Sequence, residues 1–434
     1  MKYVVIILIG ALASILANRG IAVFNDGFRP IVPQYFDGKI NRKELATLSF
    51  AISFGLVIGF GIPTSIAATV ILIHCLLLST DIIGVWCPDN TKGTILAGVI
   101  GGIYGLLILV GLEAIVKLFE YLPYNFLNDL GSVSSFVTVA FAIFPAVAVT
   151  YQHGIKKGGI TAGISVLTYF LIKRFGAFTM GDYNVALSAE GIAMLLGTVL
   201  MIVFAAGVKG DGNANASLTE VFSEKLARIR KNWSILAVMG GLIACATSLA
   251  IVAGDPISLA LLAEGAYGEA TIAALARAIG FVPLVFTTAI VTGVYAPAGC
   301  TFVFVVGLAL HGNPIVAFIL GAVVIVVELL LINVFAKGMD RFPGVKEMGE
   351  HIRTSMNKVL ELALLVGGVV AAEAMAKGAA GLSGVGAMFV IGCVLLNRKA
   401  KKPIVELAIG PVACIIFGVL LNILVALGIC VIPA

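Results

Sequence analysis

Few ionisable or strongly polar side chains fall inside the apolar stretches of this chain, and these are the ones that could do chemistry. His74 and Asp81 stand two turns apart in one stretch, while Glu113, Arg277, Glu328, Asn357, Glu361 and Glu373 are spread over others. A charged side chain at membrane depth costs roughly 2.5–3.5 kcal/mol on insertion scales, so it is kept where it has a partner or lines a polar cavity. Each residue therefore has two readings. His74 is a hydrogen-bonded core histidine, or it touches substrate or relays a proton. Asp81 belongs to a site, or to the membrane surface ahead of the interfacial Trp86. Arg277 pairs with Glu328 or Glu361, or it binds an anionic substrate. Glu328 is a ligand, a proton carrier or the partner of Arg277. Asn357 and Glu361, four apart, share a helix face. Glu113 and Glu373 each stand four residues before a lysine, Lys117 and Lys377, and read as snorkelling ion pairs. Tyr295, Gly299 and Thr301 fall in a stretch interrupted by Gly293 and Pro297, where a broken helix would aim its N-terminus at a bound anion.

The elements that must position these residues are membrane helices. With 60% hydrophobic and 12% charged residues and a mean hydropathy of +1.10, no water-facing surface of ordinary size can be built. A soluble domain is excluded. Seven cysteines have no CxxC or Cys/His spacing, so neither a disulfide framework nor a metal centre is indicated. No set of side chains suggests a catalytic site or a bound cofactor. Glycine-rich runs such as Gly98, Gly101, Gly102 and Gly105 read as close helix packing, because no strand and Lys-Ser/Thr pair surround them.

A span needs about 20 apolar residues, and the hydropathy predicts fourteen spans in two sets of seven. The first set lies near 3–18, 46–62, 64–86, 93–116, 133–151, 158–172 and 188–208. The second lies near 233–253, 271–290, 291–310, 314–336, 357–376, 379–396 and 404–432. The third and tenth are short and interrupted, by Pro63 and by Gly293, Pro297 and Gly299. Gly101, Glu113, Lys117, Pro123, Ser135 and Lys157 recur about 220 positions on as Gly321, Asn333, Lys337, Pro343, Ser355 and Lys377. Two halves are expected, 1–208 and 233–434, inverted relative to each other because each crosses an odd number of times. Residues 209–232 would join them as a cytoplasmic linker. Within it, Ser217 and Glu220 form a capping-box pattern, and Leu218, Val221, Phe222, Leu226 and Ile229 form one apolar face of a helix lying on the membrane surface. The Asn215-Ala216-Ser217 sequon beside it would face inward, away from glycosylation. Placing both termini outside puts most of the 28 lysines and arginines on the cytoplasmic side. That bias explains the net charge of +5 without a nucleic-acid partner. Residues 1–18 resemble a signal peptide but are followed by Arg19, Arg29, Lys39, Arg42 and Lys43, which favours a retained span.

Six motifs carry a family resemblance: Phe24 to Pro30, Ser79 to Gly84, Gly280 to Leu284, Thr292 to Tyr295, Leu320 to Val324 and Glu361 to Gly367. Together they resemble the YhfT family of bacterial inner-membrane proteins over essentially the whole chain. The resemblance implies a multi-pass, transporter-like protein and offers no catalytic site to carry over; Asp26 and Arg29 enter as motif residues only, with a structural role in a cytoplasmic loop as the other reading. Seven-plus-seven inverted repeats also match the nucleobase-permease type of elevator transporter, with a core sliding against a dimeric gate; segment count alone carries that analogy. The function expected is secondary transport of a small polar, anionic solute by a homodimer in the lipid bilayer. His74, Asp81, Arg277, Tyr295, Gly299, Thr301, Glu328, Asn357 and Glu361 are the candidate site, with Asp81 or Glu328 as the carboxylate coupled to H+ or Na+. A group-translocating permease working with phosphotransfer partners is the alternative. A membrane-embedded enzyme would need a clustered acid/base or metal set, which the spacing does not provide.

Overall fold

The computed structural model describes residues 1–180, 183–187, 189–208, 216–339, 343–401, 403, 406–430 and 432. In lipid, backbone polar groups must be satisfied within the protein, and a helix does this inside each segment. The chain accordingly forms α1 (Lys2–Asn18), α2 (Val32–Phe36), α3 (Arg42–Leu56), a π-helical turn (Val57–Gly61), α4 (Ile62–Ala68), β1 (Ile71–Leu72), α5 (Ile73–Trp86), α6 (Thr91–Glu120), α7 (Leu127–His153) and α8 (Ile155–Phe175). A hairpin follows, β2 (Ala177–Met180) and β3 (Tyr183–Ala186), and then α9 (Ala189–Ala206) and α10 (Ala216–Lys231). After these come α11 (Trp233–Ser248), β4 (Val252–Ala253), α12 (Pro256–Ala263), α13 (Tyr267–Thr292), α14 (Phe302–Ala309), α15 (Pro314–Met339), α16 (Pro343–Ala380), α17 (Val385–Lys399) and α18 (Glu406–Ala426). Among the described residues, α6, α8, α9, α13, α15, α16 and α18 are each long and apolar enough to cross a bilayer, and α1, α5 and α11 are shorter apolar helices. This is an all-α membrane protein.

The helices gather into two groups. α1, α5 and α6 pack with α11, α14 and α15, whereas α7, α8 and α9 pack with α16, α17 and α18. Two long elements lie between the groups. The α3–π–α4 element touches α5 on one side and α7 and α18 on the other; α13 touches α14 on one side and α9 and α16 on the other.

Within the first group the same contacts occur twice. A Cβ on Gly101 of α6 would strike the Gly10 carbonyl of α1, and one on Gly321 of α15 would lie 2.8 Å from the Gly240 carbonyl of α11. Likewise a Cβ on Gly84 of α5 would sit 2.6 Å from the Ser14 carbonyl, and one on Gly307 of α14 would sit 2.6 Å from the Ala244 carbonyl. Apolar surface offers no driving force between helices in lipid, so close backbone approach at small residues is what holds such pairs together.

Two short parallel pairings then tie the first group across its middle. β1 pairs with β4, Ile71 opposite Val252, and Ala22 bridges to Tyr295. The Ile71 amide donates to the Ile251 carbonyl at 3.0 Å, and the Tyr295 amide donates to the Ile21 carbonyl at 3.0 Å. Each link joins the stretch after a first helix, α1 or α11, to the stretch that leads into a broken one, α14 or α5. Positive-φ residues mark the turns: Gly20 and Ala250 after the first helices, Thr69 and Gly293 capping α4 and α13.

Several expectations change in detail. The stretch 64–86 is not one span: α4 stops at Ala68, the backbone turns left-handed at Thr69, and the chain is extended at β1 before α5 starts. The stretch 291–310 is likewise non-helical from Gly293 until α14 begins at Phe302. The stretch 233–253 ends as helix at Ser248. The segment around 357–376 begins at Pro343, because a polar, amphipathic turn set with Glu347, Glu350 and Arg353 extends it. α10 forms as expected, but Leu226 and Ile229 are buried against the protein, and Lys225 abuts Gly293, so its face covers α13 and α15. Residues 209–215, with Asn215, lie outside the described residues. Glu113 ion-pairs with Lys2 of α1, an inter-helix partner that the four-residue spacing to Lys117 could not reveal. Glu373 is within 3.8 Å of Lys377 as expected, and it also accepts from the Gly384 amide at 2.6 Å.

Gly101→Ala and Gly321→Ala should each push a helix pair apart and lower stability by about 1–3 kcal/mol. Gly111→Ala, which meets nothing within 4 Å, should be neutral or slightly stabilising. Thermal unfolding of the detergent-solubilised variants checks this; equal melting temperatures for all three would contradict the packing.

Candidate functional site

The stretch between α1 and α2 folds back against the middle of the molecule and is held there by Asp81. This carboxylate, only 1% exposed, accepts from the amides of Phe24 at 3.1 Å and Asn25 at 2.8 Å. Asn25 adds a side-chain bond from Nδ2 to Ser53 Oγ at 2.9 Å, and its Oδ1 accepts from the Gly27 amide at 2.9 Å. The result presents Asp26 and Arg29 on one side. Arg29 is 1% exposed; its Nε donates to the Val23 carbonyl at 3.0 Å, its Nη2 ion-pairs with Asp26, and its Nη1 has no hydrogen-bond partner.

Opposite stands the non-helical stretch before α14. Glu328 of α15, 4% exposed, accepts through Oε2 from the Tyr295 hydroxyl at 2.7 Å and from the Cys300 amide at 2.7 Å. Its Oε1 has no partner. Gly299 fits there because it has no side chain and a φ of +55°; a Cβ would strike Glu328 Oε2. Thr301 caps α14 at a φ of +75°, a conformation rarely tolerated by a β-branched residue and characteristic of functional sites.

Between these two stretches, and between the two helix groups, lies a cavity of about 530 Å³. Asn25, Asp26 and Arg29 line it together with Leu56 and Phe60 of the α3–π element, His74 of α5, Arg277 and Phe281 of α13, Gly299, Thr301, and Arg353 to Glu361 of α16. A π-helical turn inside an α-helix is often found at a functional site, and here it turns Phe60 toward the cavity. His74 lies in the first turn of α5 and Thr301 at the start of α14, so two helix N-termini face the space with their positive ends.

Arg277 is the central group. It is 2% exposed, its Nε has no partner, and it forms no salt bridge among the described residues. Its guanidinium lies 4.4 Å from the Phe281 ring centroid, and the charges near it are Asp26 and Asp255. His74 Nδ1 and Thr301 Oγ1 are also unpartnered; the His74 ring meets Phe24 and Phe60 edge to face at 5.1 Å. Four unsatisfied donors or donor-capable atoms around one space form a site for an acceptor-rich ligand.

Of the residues singled out from sequence, His74, Arg277, Gly299, Thr301, Asn357 and Glu361 line this cavity, and Asn357 and Glu361 do share a face. Asp81, Tyr295 and Glu328 stand behind the lining and hold it. Asp81 is buried within the protein. Arg277 pairs with neither Glu328 nor Glu361, whose nearest cation is Lys358 at 3.1 Å. Asp26 and Arg29, singled out as motif residues alone, also line the cavity. The signal that could have found them is Phe24 and Phe28 flanking the Asn25-Asp26-Gly27 turn, an apolar frame unusual for a solvated loop.

Tyr295→Phe should leave Glu328 Oε2 one donor short and lower stability by about 1–3 kcal/mol. Gly299→Ala, which meets both a left-handed backbone and Glu328, should lower it further. Melting curves that rank the two the other way would show the stretch before α14 to be loosely held.

The profile of the YhfT family, described as a protein of unknown function, matches residues 2–430. A protein of Escherichia coli (strain K12) named "Uncharacterized protein YhfT" is 37% identical over 444 residues, covering 98% of each chain. No solved structure matches the chain. Match length and identity together establish that this chain belongs to the YhfT family.

Proposed function

We propose that this protein is a secondary transporter for a small anionic solute, which binds in the cavity between the two helix groups. The observation that carries the reading is Arg277: a guanidinium buried at membrane depth, without a salt bridge among the described residues, beside a polar cavity. Such a group is retained at high cost unless an anion visits it. Arg29 Nη1, the N-termini of α5 and α14, and Thr301 Oγ1 point the same way. The apolar surface of Phe24, Phe60 and Phe281 leaves room for a carbon skeleton attached to the anionic group.

A second cavity, of about 660 Å³, supports alternating access. It is lined by Lys173 of α8, Glu190 of α9, Ile257 and Leu261 of α12, and Glu264 and Glu269. On α13 it reaches Glu269, while the first cavity begins at Arg277; eight residues of helix, about 12 Å, separate them. Arg277 thus stands at the barrier. The exposed Lys358 and the half-exposed Arg353 mark the mouth of the first cavity. In this reading the mouth opens on the cytoplasmic side of a bacterial inner membrane, with both termini periplasmic, as the bias of lysine and arginine toward that side favours.

The duplicated helix contacts and reciprocal strand links fit two inverted halves of seven crossings, 1–208 and 233–434, in which α5 and α14 are broken helices. The group containing these helices is the moving core of an elevator, and α7–α9 with α16–α18 form the gate, through which a homodimer assembles. The carboxylate coupled to H+ or Na+ is Glu328, whose Oε1 is free, with Asp81 holding the opposite stretch.

Uptake of labelled small anions into proteoliposomes, with and without a proton or sodium gradient, tests this. Arg277→Ala should abolish uptake while expression and dimerisation persist; normal uptake would remove Arg277 from the site. Gradient-independent arrival of phosphorylated product would indicate group translocation instead.

A further inference from the structure

Two buried guanidiniums, Arg29 and Arg277, share the cavity, and one carboxylate is placed to serve both. Arg277 has Asp26 and Asp255 as its charged neighbours. Asp255, the stronger of the two charges acting on Arg277, is fixed in place: it caps α12, Oδ1 accepting from the Ser258 amide at 2.8 Å and Oδ2 from the Ser258 hydroxyl. Glu361 is held by Lys358 at the mouth. Asp26 is different. It lines the cavity, its side chain is 24% exposed, and its partner is Arg29. The backbone on its N-terminal side is pinned by Asp81 and Asn25, and Arg29 on its C-terminal side is pinned to Val23, whereas the Asp26 side chain is free to turn about its own χ angles.

We infer, resting on the anion-binding reading above, that Asp26 is a tethered counter-anion which the acid group of the substrate displaces. In the empty protein its carboxylate offsets the charge of Arg29 and Arg277. When a carboxylate or phosphate enters, it pairs with the guanidiniums of Arg29 and Arg277, and Asp26 turns away into the cavity. The reason is electrostatic. Without Asp26, Arg29 would lose its ion-pair partner and Arg277 would keep Asp255 alone, and that positive excess inside apolar segments would hinder the empty protein in passing its site through the apolar barrier. A tethered acid, present at millimolar or higher effective concentration, removes that obstacle and competes with substrate. Substrate affinity is therefore set by a contest between two anions, one of them built in.

The probes are inorganic phosphate and succinate, titrated at low ionic strength into purified full-length protein, with binding read by calorimetry and thermal shift. Asp26→Asn should bind at least one of them about tenfold more tightly than wild type, and Arg277→Ala added to Asp26→Asn should remove the gain. Asp26→Ser serves where Asp26→Asn does not give monodisperse protein. Equal or weaker binding by a folded Asp26 variant, beside wild-type binding that needs Arg277, would overturn this inference and leave the anion cavity standing. No binding of either anion to wild type or variant would sink both.

Discussion

A helix that breaks inside a membrane must find partners for the backbone groups it frees, and this requirement shapes the molecule more than any single contact. The chain meets it by lending strands across its own length. The extended residues ahead of α5 pair with those after α11, and the residue Tyr295 ahead of α14 pairs with Ala22 after α1. Without these links α5 and α14 could not start in mid-protein, and their N-termini could not face a common space. Irregular backbone at this depth is tolerated where it is buried in protein or lines a cavity, and here it does both.

Once the broken helices are fixed, the polar chemistry is layered. Asp81 and Glu328 each gather backbone amides and so set the shape of one wall. In front of them, Arg29, Arg277, His74 and Thr301 line the cavity, and each carries a buried polar atom without a hydrogen-bond partner. The carboxylates supply rigidity and the cations supply recognition. Such a division ties Asp81 and one oxygen of Glu328 to the protein and leaves cationic side chains on the lining, a balance that suits an anionic ligand.

Much of this was legible in the sequence. Composition settled the solvent, the glycines of α6 foretold tight packing, and Gly293 foretold the break ahead of α14, whereas helix runs on through Pro63 and stops only at Thr69. Arg277 stood out because a lone guanidinium in an apolar run is expensive. What hydropathy could not reveal is depth where the chain reverses. The polar run from Asn25 to Arg29 reads as an ordinary loop, yet the amide clamp from Asp81, fifty-odd residues away, draws it into the interior. In the same way local spacing assigned Glu113 to Lys117, whereas the pair forms with Lys2, because α1 and α6 lie side by side. Long-range partners are decided by packing, which a one-dimensional pattern does not carry.

The strand exchange also has a consequence for biogenesis. Ala22 leaves the ribosome long before Tyr295 exists, an interval on the order of tens of seconds at 5–20 residues per second. Throughout that time the nascent N-terminal portion holds an inserted but unclosed pocket, with amides that only later residues can satisfy. Its maturation is thus obligatorily late, and a truncated translation product would expose the polar lining to whatever quality-control proteases patrol the bilayer.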